Sequence, residues 1–211
     1  MKDGGRSFPT RSYKTPDEYF LAYTQEIAAA MASVDRTQFA AAAAILRSAL
    51  ERRATIYACG NGGSAAISNH LLCDFLKGIQ SGTDFRPSVV SLSSTMEVVT
   101  AIANDISYDD VFLYQLRTLA DPGDVLVTIS SSGNSENIVR AVDWANGHGV
   151  STIAMTGFTG GRSAEKAGTI LHVGASNYGV VEDVHQMLMH SLAQYLRSSA
   201  LPEDRIPETK F

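Results

Sequence analysis

Two polar sets in this chain have the residue types and spacing for acid–base or metal chemistry. His70 and Asp74 are four residues apart, so they share one face of any helix that holds them. Glu182, His185 and His190 form the second set. Glu182 and His190 differ by roughly 80° around a helix axis and can both face one curved cleft, and His185 can share Glu182's side. Taken singly, each set reads as solvated polar residues, or as a histidine satisfied by a backbone carbonyl. Taken together they supply two imidazoles and two carboxylates, a donor set for Zn²⁺ or a similar divalent ion. The same groups supply a general acid and base without a metal. Spacing does not choose between these.

A second chemistry is written in two loops. The apolar run 54–59 empties into G-N-G-G-S, and the run 125–130 into S-S-G-N-S. Gly60, Gly62 and Gly63 allow a tight turn and a close approach of backbone to ligand, and Ser64 offers a hydroxyl where the following helix exposes unpaired N–H groups. The second loop adds Ser130, Ser131, Ser132 and Ser135 around Gly133 and Asn134, more small hydroxyls than a turn requires. No Lys follows the glycines and the pattern is not G-x-G-x-x-G, which disfavours nucleotides and leaves a small phosphorylated ligand.

These residues need a scaffold, and the rest of the chain describes one. Strand-like runs at 54–59, 88–92, 124–130, 151–156 and 169–173 alternate with helical patterns at 64–77, 94–103, 109–119, 135–148, 162–167 and 180–198. Such alternation predicts an α/β fold, a doubly wound parallel sheet with helices on both faces. Ligands in such folds bind beyond the carboxyl ends of the strands, which is where both Ser/Gly loops fall. Before the first strand, residues 16–52 carry two helical patterns, the second rich in Ala. The reading is one domain over 16–211, including those helices, after a flexible segment 1–15.

At 211 residues, 45% hydrophobic and 18% charged, with a formal net charge of −5, the composition is that of a soluble globular protein with no electrostatic pull toward nucleic acid. No signal-peptide pattern and no membrane-length apolar run is present, so the expected location is the cytoplasm. Cys59 and Cys73 lack C-x-x-C spacing and are both expected to be small buried hydrophobes.

C-G-N-G-G-S at 59–64, H-x-x-x-D at 70–74, A-N-D at 103–105, I-S-S-S-G-N-S at 129–135, T-G at 156–157 and E-D-V-H-x-x-x-x-H at 182–190 resemble, in order and spacing, the sugar isomerase (SIS) domain family, and within it the isomerases of sedoheptulose 7-phosphate. The resemblance implies a five-stranded parallel sheet and a homotetramer whose N-terminal helices help build a central bundle, with active sites between subunits. It also implies an aldose–ketose isomerase that converts sedoheptulose 7-phosphate to D-glycero-D-manno-heptose 7-phosphate through an enediol. Residue by residue, Ser64, Ser130, Ser132 and Ser135 match phosphate ligands, with Asn61, Gly62, Gly63 and Ser131 lining the pocket and Asp105 near the sugar. His70, Asp74, Glu182 and His190 match the positions that bind zinc in some members, one ion per subunit, with Glu182 also facing substrate. Asp74 aligns with the proposed base and His190 with the proposed acid.

The chain departs from the family pattern in four places: Asp74 stands for Glu, Glu182 for Gln, Gly78 for Arg and Gly179 for Asp. Two other readings compete with the isomerase. One is a non-catalytic relative of the type that associates with a replication initiator; the other is a sensor of sugar phosphates. The presence of both Asp74 and His190 favours the enzyme.

Overall fold

The computed structural model describes residues 8–210. Of the segment expected to be flexible, residues 1–7 lie outside the described residues. Within 8–15, Phe8 is buried against Tyr13, Tyr19 and Tyr23.

Five strands, β1 (Thr55–Gly60), β2 (Ser88–Ser91), β3 (Val125–Ser130), β4 (Ser151–Thr156) and β5 (Thr169–His172), form one parallel sheet in the order β2-β1-β3-β4-β5. Among the described residues eight α-helices accompany them: α1 (Pro16–Ala32), α2 (Arg36–Arg52), α3 (Gly63–Cys73), α4 (Met96–Asp105), α5 (Val111–Leu119), α6 (Glu136–Gly147), α7 (Gly161–Lys166) and α8 (Tyr178–Ser198). Successive strand side chains point to opposite faces, so each strand feeds two cores. Ile56, Ala58, Val125, Val127 and Ile129 pack with apolar residues of α1, α2, α3 and α8. Tyr57, Cys59 and Leu126 pack on the other face with Val111, Phe112, Leu116, Ile138 and Ala141 from α5 and α6. Burial on both faces is why the strands read as apolar runs rather than as alternating patterns.

Local signals set the helix ends. Thr15 caps α1, with Pro16 in the first turn, and Asp35 caps α2 through the N–H groups of Thr37 and Gln38. Asn177 caps α8 by accepting from Val180. The helical pattern at 64–77 divides in the structure, because α3 gives way to a π-helical turn over Asp74–Ile79. Such turns recur at functional sites, and this one begins at a candidate catalytic residue.

Two expectations need correction. Cys73 is exposed. Leu71 and Phe75 take the core face, and a residue two positions from each falls on the opposite side of the helix. His185 does not share Glu182's side. It is fully buried between α8 and the sheet, and neither ring nitrogen makes a hydrogen bond. Burial pushes its pKa down to about 4; the nearby Thr156 backbone opposes this and the neighbouring His172 adds to it.

That burial has a sign. The folded-state pKa, about 4, lies below the ordinary 6.5, so the unfolded chain binds the proton more tightly. The stability is fully present above pH 6.5 and is lost as pH falls toward 4, by about 3 kcal/mol from this residue. We expect His185→Leu to be at least as stable as the parent at pH 7 and to lack this acid-side loss, as urea unfolding at a series of pH values would measure.

Candidate active site

Strand β1 pairs directly with β3, with Gly60 opposite Ile129, so the two Ser/Gly loops leave adjacent strands at the same sheet edge. The connections from β1 and β3 also run to opposite faces, through α3 and α6. That is the topological switch point where ligand crevices of this architecture form.

The first loop can be built only from glycines. A Cβ at Gly60 would stand 2.6 Å from the backbone oxygen of Ser64, and Gly62 has φ +55, ψ −124, a conformation closed to other residues. Ser93 ties the loop down by accepting from the Gly60 N–H at 3.1 Å and donating to its carbonyl at 2.8 Å. In the second loop, the 157–161 turn presses on the serines: a Cβ at Gly133 would strike the Gly160 carbonyl, and one at Gly161 the carbonyl of Ser132. Neither α3 nor α6 has a side chain capping its N-terminus, although Ser135 occupies the cap position of α6. The N–H groups of Ser64 and Ala65 turn back to the Asn61 carbonyl and that of Ile138 to Ser135, so Gly63, Glu136 and Asn137 offer the N–H groups that an anion could take. Ser64, Ser130 and Ser131 are buried beside them, and the Ser131 hydroxyl has no hydrogen-bond partner. Ser132 is half-buried, its hydroxyl accepting from the Asn134 N–H at 3.3 Å.

Asn61 joins the two loops rather than only lining a pocket. Its amide exchanges hydrogen bonds with that of Asn137, at 2.9 and 3.0 Å, and its Oδ1 also accepts from the Tyr108 hydroxyl at 2.9 Å.

Deeper along α3, His70 and Asp74 meet α8, which packs beside it. Asp74 Oδ1 lies 3.4 Å from His70 Nε2, and Oδ2 lies 3.5 Å from His190 Nε2. The two imidazoles meet edge-on with centroids 4.9 Å apart. One potential ligand atom from each of His70, Asp74 and His190 falls within 4.8 Å of the others, so three of the four expected metal ligands converge. Nitrogen and carboxylate donors at that separation suit a divalent ion such as zinc.

Glu182 is not in that group. It lies about two turns before His190 on α8, where its carboxylate sits over Gly63 at the start of α3; a Cβ there would overlap it. Its pKa is raised, mainly by burial and further by Asp183. Asp105 is exposed at the end of α4, accepts from Asn104 at 2.7 Å, and makes no hydrogen bond or ion pair with the other candidates among the described residues. A groove of about 300 Å³ opens beside Asp74, lined also by Cys73, Lys77, Gly78 and Arg197. Sequence reasoning missed Gln186, Ser93, Asn137 and Tyr108. Gln186 had a signal, since it is four residues from both Glu182 and His190; the other three act across the sheet and had none.

The family model for the SIS domain matches residues 19–157. A phosphoheptose isomerase of Colwellia psychrerythraea is 36% identical over 151 residues, which cover 70% of this chain and 76% of that protein. One from Thiobacillus denitrificans is 37% identical over 164 residues, covering 75% and 82%. Among solved structures, a phosphoheptose isomerase from Neisseria gonorrhoeae superimposes with a TM-score of 0.79 at 32% identity, over 87% of this chain and 100% of that one.

The Asn61–Asn137 pair generates a test. Asn137 is 1% exposed, so Asn61→Ala leaves a buried amide without its partner, a cost of about 1–3 kcal/mol. We expect urea unfolding to report that loss, and calorimetry with a sugar phosphate to report weaker binding as the two loops lose their tie.

Proposed function

This chain belongs to the SIS domain family, and within it to the phosphoheptose isomerases; from that footing we propose that it converts sedoheptulose 7-phosphate to D-glycero-D-manno-heptose 7-phosphate. The observation that carries the reading is the pairing of an anion pocket at two open helix N-termini with a His/Asp/His cluster further along the same α3–α8 seam.

The phosphate end binds through Ser64, Ser130, Ser131, Ser132 and Ser135 and the first N–H groups of α3 and α6. Hydroxyls and N–H groups replace the water around a dianion, and helix ends favour negative charge without lysines. Holding the phosphate there lets remote binding energy place the reacting carbons. Asp74 is the base that moves a proton between C1 and C2, and His190 is the acid that exchanges the proton on oxygen. Glu182, at the loop mouth, and Asp105 are assigned to sugar hydroxyls. His70, Asp74 and His190 would hold the divalent ion, with Glu182 as the fourth position implied by the family; when bound, zinc polarises the sugar oxygens as a Lewis acid.

A homotetramer is supported by apolar residues that the described chain leaves uncovered. Phe20 and Leu21 of α1 are 66% and 58% exposed, and an apolar groove of about 540 Å³ runs between α1, α2 and α8 past Met31, Phe39 and Met187. No helix of the described residues is long and apolar enough to cross a membrane, and a cytoplasmic location goes with the reaction proposed.

Three outcomes are expected. Asp74→Asn keeps size but removes basicity, so turnover of sedoheptulose 7-phosphate should fall by about two to four powers of ten while sugar-phosphate binding persists, with His190→Asn alike. Wild-type rates in both variants would sink the assignment of roles. Ser132→Ala should raise the apparent substrate constant with the fold unchanged, and unaltered calorimetric affinity would count against the phosphate pocket. Light scattering at micromolar concentration should give a tetramer; a fully active monomer would remove the shared-bundle picture.

A further inference from the structure

Gln186 stands in the middle of the cluster that the isomerase motifs do not mention. Its amide nitrogen lies 3.0 Å from His70 Nδ1 and 2.9 Å from His190 Nε2. An amide NH₂ has two protons and no usable lone pair, so in this orientation it donates to both rings. The His190 Nε2 lone pair it occupies is the one that a cation shared with Asp74 requires. Bound cation and bound NH₂ group therefore exclude each other. A half-turn of the amide plane, however, exchanges Nε2 for Oε1 with no other atom displaced, because the two ends of a carboxamide are nearly the same shape. Oxygen then occupies the point between the imidazoles.

A four-coordinate ion at that point would draw on side chains already close to one another. Ligands at 2.0–2.2 Å from a tetrahedral centre are about 3.3–3.6 Å from one another. Gln186 lies 2.9 Å from His190 Nε2 and 3.0 Å from His70 Nδ1, somewhat closer than that, and Asp74 lies 3.5 Å from the same His190 Nε2 and 3.4 Å from His70 Nε2; His190 Nε2 is thus the atom both share, and an ion there takes one of the two His70 nitrogens. Glu182 is elsewhere, its carboxylate stacked on Gly63 at the phosphate end of α3. The cluster thus has four side chains in mutual contact, but the fourth is a neutral amide one turn beyond the carboxylate that the motif designates.

We propose that Gln186, not Glu182, completes the cation site as an oxygen donor, and that in the cation-free protein the same amide, turned over, pins His70 and His190 together. This rests on the reading that the cluster holds a divalent ion. A neutral oxygen in place of a second carboxylate leaves the ion with Asp74 as its one anionic ligand, which makes it a stronger Lewis acid. It also frees Glu182 to meet the substrate.

The experiment measures zinc affinity by chelator competition, and Co²⁺ coordination by visible absorption, on the full chain and its Gln186→Leu, Gln186→Met and Glu182→Gln variants. Circular dichroism reports whether each folds, and Met keeps the length of Gln should Leu misfold. The expected result is at least about a tenfold loss of zinc affinity in both Gln186 variants, with an altered Co²⁺ spectrum. Glu182→Gln should stay within threefold of the parent with its spectrum unchanged. Parent-like zinc binding in the Gln186 variants overturns the proposal and leaves the metal site standing, as does a loss confined to Glu182→Gln. Absence of zinc binding in the parent protein overturns both.

Discussion

The site depends on one constraint, the direct pairing of β1 with β3. Because these strands are neighbours in the sheet yet far apart in sequence, the turns that follow them open side by side, and the helices they launch lie on opposite faces. Every other feature is arranged around that crevice. Glycine is required where the turns touch their neighbours, at Gly60 against Ser64 and at Gly133 and Gly161 against each other's loops. The Asn61–Asn137 amide pair and the Ser93 clamp then hold the two turns at a fixed separation. On the function proposed above, such groups would pre-organise the phosphate pocket, so that little reorganisation accompanies binding.

The second half of the site follows from helix geometry. α3 begins at the phosphate loop and α8 runs beside it in the same direction, so position along the seam translates into position along an extended sugar phosphate. Glu182 lies level with Gly63, and Gln186 and His190 lie level with His70 and Asp74. The order along the seam is anion pocket, carboxylate, then His/Asp/His cluster. A ligand with a phosphate at one end and a carbonyl at the other fits that order. The π-helical turn at Asp74 changes the helical repeat at the point where its carboxylate meets His190 of α8.

Charge is distributed accordingly. The chain is acidic overall, and no lysine or arginine lies within the two phosphate loops. The nearby Arg162 donates to the Asn134 carbonyl at 2.9 Å and to Glu136 at 2.8 Å, so it braces the second loop. On the function proposed above, attraction for phosphate would fall to backbone dipoles and hydroxyls, which are short-ranged and directional. That favours recognition by shape over general anion binding.

Much of this was legible in the sequence. All five strands fall within about a residue of the apolar runs, since burial on both faces leaves no polar alternation to blur them. The Ser/Gly loops and the His70–Asp74 pair were equally local signals. Which of several polar side chains on α8 faces α3 was not local. Periodicity allowed His185 to share Glu182's side, but packing against the sheet buries it, and Gln186 takes the inward position between the histidines. Cys73 was exposed for the same reason, because the core claims Leu71 and Phe75. A sequence records the period of a helix and the chemistry of its ends; the rotation of that helix about its own axis is decided only when its apolar stripe meets the sheet. By itself this sequence determined the strands, the loops and the reaction family, while the tertiary structure decided which atoms of α8 face the reacting end of the site.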